Sequence, residues 1–244
     1  MIRSLTAVLF ATSLLCAPAM AQSVSPAIAA AVADSARPDT DKANDANRKP
    51  AQVLAFAGVK PGMTIGELAP GRGYYTRILS KAVGPTGKVY AIFTTAQAAR
   101  PGVLDAFNKA LAGYSNVKVV TVDYATMMLP EKADLFWTTE NYHDFHNGPT
   151  ANIAAFDKAV FDNLKPGGIF YVEDHRAADG AGLAATSQFH RMDVAVAKSE
   201  LTAAGFRLDA ESDLLHNPAD DRAASNSETG HFTSDRFMLR MKKP

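Results

Sequence analysis

From residue 50 onward, short apolar runs alternate with amphipathic stretches. The runs at 63–68, 88–93, 117–122, 133–138 and 168–173 have the length and content of buried strands. Between them, 74–83, 103–111 and 150–164 read as helices. In the last of these Ile153, Phe156, Val160 and Leu164 recur at helical spacing, which makes them core positions. Ahead of the first strand, Pro50 suits a first helical turn, Val53, Leu54 and Phe56 form an apolar side, and Gly58 can end the helix. This alternation predicts an α/β fold, a parallel sheet wound with helices on both faces. A last helix over 189–204 leads to two runs, 206–214 and 236–241, that read as a terminal hairpin. The polar stretch 217–233 between them predicts a mobile surface excursion. Residues 22–49, rich in Ala, Ser, Asp and Asn, predict a mobile leader with one short helix at 26–33, so the ordered domain is expected at 50–244.

The first residues follow a different pattern. A single early charge at Arg3, an apolar run from Leu5 to Cys16, and Ala19-Met20-Ala21 match a secretory signal peptide, with cleavage expected before Gln22. The run is too short for a permanent membrane anchor. A lipoprotein reading centred on Cys16 has the bulky Leu15 against it. These features predict a periplasmic or secreted protein. Cys16 is the only cysteine, so the 223 residues after cleavage hold no disulfide, thiolate nucleophile or cysteine metal site. Cleavage removes one Arg and no acid, leaving 24 basic and 25 acidic side chains. Such a balance gives no electrostatic footprint for nucleic acid or an anionic membrane.

The most informative stretch is 64–76, where an apolar run ending at Glu67 and Leu68 meets Ala69-Pro70-Gly71-Arg72-Gly73 and then a helical pattern. Strand, glycine turn and helix start form the place where α/β proteins hold a nucleotide-like cofactor, since glycines admit close approach and the opening N–H groups donate hydrogen bonds. By itself such a turn also serves simply to connect a strand to a helix.

Four features together resemble the class I S-adenosylmethionine-dependent methyltransferases over about residues 50–244: Glu67 before Pro70-Gly71-Arg72-Gly73, Asp123 near the end of the third strand, Leu164-Lys165-Pro166-Gly167-Gly168 before the fifth, and the closing hairpin after Ala203-Ala204-Gly205-Phe206. The stretches 67–76, 141–144, 189–193, 216–220 and 234–237 look like a group of exported, predicted bacterial methyltransferases. The resemblance implies a seven-stranded Rossmann-like sheet in the order 3-2-1-4-5-7-6 with strand 7 antiparallel, S-adenosylmethionine as cofactor, and a small-molecule methyl acceptor. It implies that Gly71 and Gly73, with Ala69 and Pro70, approach the methionine end, that Glu67 orients its amino group, and that Asp123 accepts from the adenine amine. Two departures stand out. Ala69 replaces the first glycine of the usual motif, and the acid expected after strand 2 to hold the ribose is replaced by Phe93-Thr94. Phe93 would pack against the adenine instead.

Candidate proton acceptors gather after strands 4 and 5: Tyr142, His143, Asp144 and His146 in one loop, Asp174 and His175 in the next, with His190 opening the last helix. His143 is expected to act as the general base near neutral pH, with Tyr142 and His175 shaping the acceptor pocket. Caps on strand ends are the bland alternative for the same histidines. No metal is expected, because His143-x-x-His146 lacks the third ligand spacing of a zinc site, although His143, Asp144, His146, Asp174 and His175 could in principle supply three or four ligands. Two other readings stay open: a scaffold that binds ligand without catalysis, and an enzyme of another reaction class at the histidine cluster. Composition does not fix the oligomeric state.

Overall fold

A computed structural model describes residues 23–230 and 233–244. The expected signal peptide and its cleavage site fall outside the described residues. Seven strands form one sheet: β1 (Thr64–Leu68), β2 (Lys88–Thr94), β3 (Val117–Val122), β4 (Ala133–Thr139), β5 (Leu164–His175), β6 (Arg207–Ser212) and β7 (Arg236–Lys242). Their order is β3-β2-β1-β4-β5-β7-β6. The pairs from β3 through β5 are parallel, and β7 runs antiparallel to both β5 and β6. The chain therefore has the doubly wound class I methyltransferase fold.

Strand alternation sorts the core into two layers. On one face Phe136, Phe170, Val172, Phe237, Leu239 and Met241 pack with Phe156, Val160 and Leu201 from the helices α8 (Ile153–Asn163) and α10 (Val194–Ala203). On the other, Leu135, Trp137, Tyr171 and Met238 meet α4 (Pro50–Ala57) and α5 (Tyr74–Val83). Trp137 is fully buried between Tyr75 and Tyr171, with ring centroids 4.9 and 4.4 Å away.

Three expectations need correction. Residues 23–49 do not trail free of the domain: they form α1 (Pro26–Val32), docked on α4 and α5, and α2 (Asp39–Lys42) and α3 (Asp45–Arg48), tied to α5 through Arg77 and Tyr74. Ile28 and Ala31 join the second core layer. Arg37 forks onto Asp45 at 2.8 and 2.6 Å, Arg77 reaches Asp41 at 2.7 Å, and Arg48 pairs with Glu140 beyond β4. The charges that made this segment read as solvated are spent on these pairs.

The described residues of the stretch 217–233 are likewise tied down. Asp220 is buried against Arg191 at 2.8 Å, and Asn226, opening α11 (Asn226–Thr229), donates to the His190 carbonyl at 3.0 Å. Finally, the helix expected at 189–204 begins only at Val194, as α10, with a separate short helix α9 (Ala184–Gln188) ending before residue 189; α10 is capped by Asp193 accepting from Ala195 N at 2.9 Å. His190 lies between them with a left-handed backbone, φ +50°.

Candidate functional site

Strand order reverses between β1 and β4, and an open α/β sheet binds ligands in the crevice beyond such a point. Three adjoining cavities of about 720, 490 and 640 Å³ meet there, all sharing Ala69 and Asn141. Each is of a size used for small ligands. Two non-glycine residues at these neighbouring strand ends have left-handed backbones, Ala69 at φ +46° and Glu140 at +59°. L-residues adopt this conformation at a cost of about 1–2 kcal/mol, so packing on both sides of the crevice holds a strained backbone in place. Ala69 keeps the shape that a glycine would take freely, and its N–H is held by the Tyr124 hydroxyl and the Ile92 carbonyl, both at 3.0 Å.

Glu67 lies buried at the floor of one cavity, which is also lined by Pro70, Gly71 and Asn141. Its Oε2 has no hydrogen-bond partner among the described residues. Burial pushes this carboxyl up to about 8, outweighing nearby Thr76, Arg77 and Arg48. A buried acid short of a partner fits an ammonium ligand such as the methionine end of S-adenosylmethionine. Thr40, Asp41, Asn44 and Arg48 of the docked leader close the same cavity. Read as a mobile tail, they carried no signal of this role.

The two turn glycines differ. Gly71 lines two of the cavities, has φ +58°, and a Cβ there would meet nothing within 4 Å among the described residues. Gly73, the N-cap of α5 with φ +82°, lines none of the three; its Cβ would lie 2.8 Å from Leu111 and 3.1 Å from Arg77. Its smallness serves packing, which differs from the expected ligand approach. Gly73→Val is therefore expected to lower the melting temperature more than Gly71→Val. Gly71→Val should fill cavity space at the cost of left-handed strain, about 1–2 kcal/mol. Thermal unfolding of the two variants side by side checks the ordering.

Toward β2 and β3, Phe93 is buried, packs edge-on against Phe107 at 5.0 Å, and lines a cavity with Gln97 and Arg100. Thr94 Oγ1 is committed to capping α6 (Thr95–Ala98), accepting from Gln97 N at 3.0 Å, while Gln97 Oε1 accepts from Thr94 N at 2.9 Å. This reciprocal cap occupies the end of β2, where a ribose-binding acid was missing in the sequence. Asp123 caps a short 3-10 turn through Ala125 N at 2.9 Å and lines the neighbouring cavity.

The histidines divide. His143 is buried, and its Nδ1 donates to Asp174 Oδ1 at 2.8 Å, as a carboxylate can only accept. Asp174 is itself fixed, accepting from His143 N at 2.6 Å and His175 N at 2.8 Å. The other ring nitrogen, Nε2, faces Asp144 Oδ1 at 3.3 Å. Burial opposes charge on this ring, but Asp174 and Asp144 together outweigh it and push His143 up to about 10. It is thus an imidazolium at pH 7, which differs from the expected neutral ring ready to take up a proton. Asp144, half exposed, is the member of this group that lines the cavities.

Tyr142 and His175, expected on the acceptor pocket, line none of the cavities at the crevice. Tyr142 is fully buried, its hydroxyl on Asp157 Oδ2 at 2.9 Å, and His175 is buried with Nδ1 2.6 Å from Ser234 Oγ. His146 turns away to Glu200 at 2.9 Å. His190 stands instead beside His143, with ring centroids 5.6 Å apart. Asn141, second residue after β4, lines all three crevice cavities and was given no role from sequence; only its position at the strand end could have singled it out.

No family model matches the chain, and no curated protein matches it. Its fold is shared with solved S-adenosylmethionine-dependent methyltransferases. A SAM-dependent methyltransferase from Aquifex aeolicus aligns over 85% of this chain and 99% of its own with 20% identity and a TM-score of 0.60. The N-methyltransferase NodS from Bradyrhizobium japonicum WM9 aligns over 84% and 98% with 12% identity and a TM-score of 0.56. The [4+2]-cyclase SpnF aligns over 84% and 80% with 14% identity and a TM-score of 0.56. At these identities the likeness concerns the fold.

Proposed function

We propose that this protein is an exported S-adenosylmethionine-dependent methyltransferase acting on a small-molecule acceptor. The observation that carries the reading is the buried Glu67 carboxyl with an unpartnered oxygen, at the floor of a crevice that continues past Gly71 and Phe93 to Asp123. Glu67 would hold the ligand's ammonium, Ala69, Pro70 and Gly71 its methionine end, Phe93 the adenine face and Asp123 the adenine amine. The cofactor would supply a methyl group already activated on sulfonium, so the protein's main task is alignment of the acceptor. Asn141 and Asp144, where the cavities join, are the groups placed to do that.

The capped end of β2 favours a second reading, a ligand-binding scaffold without turnover. No carboxylate there takes the two ribose hydroxyls, which removes a strong charge-assisted contact. The comparison with a cyclase on the same fold keeps a different reaction in view, since fold does not fix chemistry. Calorimetric titration with S-adenosylmethionine and S-adenosylhomocysteine tests the cofactor. Saturable binding of both supports the proposal, and absence of heat with either at millimolar ligand would remove it. Binding without methyl transfer to any of a panel of small amines, phenols and carboxylic acids would favour the scaffold.

A further inference from the structure

One ligand atom from each of His143, Asp144 and His190 lies within 4.8 Å of the other two, and Asp144 lines the crevice. We propose that these three groups bind a divalent transition-metal ion of the zinc type, which takes the place of the proton on His143 Nε2 and releases it to solvent. This site is independent of the methyl-transfer reading and departs from the expectation that no metal binds.

Three observations carry it. The first is spacing. Ligand bonds of about 2.0–2.2 Å in a tetrahedral site place donor atoms about 3.3–3.5 Å apart. Asp144 Oδ1 is 3.3 Å from His143 Nε2 and 3.5 Å from His190 Nδ1. The third separation closes by rotation of the His190 ring, whose side chain is 52% exposed.

The second is orientation. Asp174 accepts from His143 Nδ1 and is locked by two backbone N–H groups, so the ring presents Nε2 to the site. A carboxylate behind a histidine in this way is the arrangement that aims an imidazole at a metal and makes it a stronger ligand. The third is backbone strain. His190 is one of five non-glycine residues with positive φ among the described residues, and its carbonyl is pinned by Asn226.

Two imidazoles and one carboxylate select a borderline cation over magnesium or calcium, which take oxygen ligands. Three protein ligands leave a coordination position for water or an oxygen of a bound molecule. Asp144 sets that ion at the edge of the cavity that also holds Asn141 and Phe145.

Tag-free protein, treated with chelator and titrated with Co²⁺, should develop visible absorption that saturates at one equivalent, is displaced by Zn²⁺ and is unaffected by Mg²⁺. His190→Ala and Asp144→Asn, both half-exposed positions, should stay folded by circular dichroism and weaken binding at least about 100-fold. Asp174→Asn should weaken it about 10–100-fold as a positioning residue. His216→Ala, whose ring pairs with Asp235, should bind as the unaltered protein does. No saturating absorption, affinity unchanged in both His190→Ala and Asp144→Asn, or equal loss in His216→Ala would overturn the site.

Discussion

Affinity for S-adenosylmethionine is expected to rise with pH between about 6 and 8, and Glu67→Gln is expected to remove that rise and weaken binding about ten- to a hundredfold. Below about 8 the buried Glu67 holds a proton. A ligand ammonium favours the carboxylate, so binding must release that proton, and affinity gains up to about tenfold per pH unit until Glu67 is ionised beforehand. Above about 8 the ligand's own amine loses its charge, which turns the curve over. The fold loss corresponds to a charge-assisted hydrogen bond of about 1.5–3 kcal/mol.

The same carboxyl sets a stability effect of known sign. Its folded value lies above the unfolded one, about 4.3, so burying it costs stability progressively as pH rises from there to about 8. Glu67→Gln should therefore be at least as stable as the unaltered protein at pH 8, which keeps the binding test clean. Calorimetry in buffers of different ionisation heat reads proton release directly. Equal observed heats, together with unchanged affinity in Glu67→Gln, would show that Glu67 does not face the ligand.

The largest stability loss is expected at Arg236. This side chain is 2% exposed, its Nη1 bonds Glu173 at 2.9 Å and Glu140 at 3.1 Å, and its Nη2 donates to the Asn47 carbonyl at 2.7 Å. Arg236→Met keeps the bulk but leaves two buried carboxylates facing each other without this cation. Removing one partner of a buried ion pair costs about 3–5 kcal/mol, which for a chain of this length lowers the melting temperature by roughly 10 °C. Burial raises Glu173, so it gains a proton more readily than an ordinary glutamate, and the deficit should shrink as pH falls toward about 4.3. A melting temperature within a degree or two of the parent at pH 7.5 would mean that the remaining partner, Arg48, suffices.

The sheet was legible because each strand is an apolar run bounded by turn residues, and such runs have few other uses in a chain of mixed composition. Glu67 and Asp123, acids at the ends of those runs to which the resemblance gave roles, both line cavities of the crevice. What sequence could not show depends on pairing across distance. The helices at 39–42 and 45–48 are too short for periodicity, and they hold through Arg37, Asp41, Asp45 and Arg48, residues that read as solvated until their partners are known. His143 looked like a free base because Asp174 is 31 residues away and becomes its neighbour only through the β4–β5 pairing. Gly71 and Gly73 look alike in a motif, and only the packing of Leu111 and Phe107 tells them apart.

The ion cluster at Arg236 also fixes when the molecule can be finished. β7 is the last strand made, yet it sits between β5 and β6, and its first residue is what clasps Asn47 near the other end. A chain synthesised, or threaded through a membrane, from its amino end must hold α1 through α3 in waiting while nearly 190 further residues follow. At about 5–20 residues per second that interval is about 10–40 s. During it Ile28 and Ala31 can pack on α4 and α5, but the crevice wall that Arg48 and Glu140 form lacks its keystone. That wall of the crevice is therefore closed only after β7 has been added.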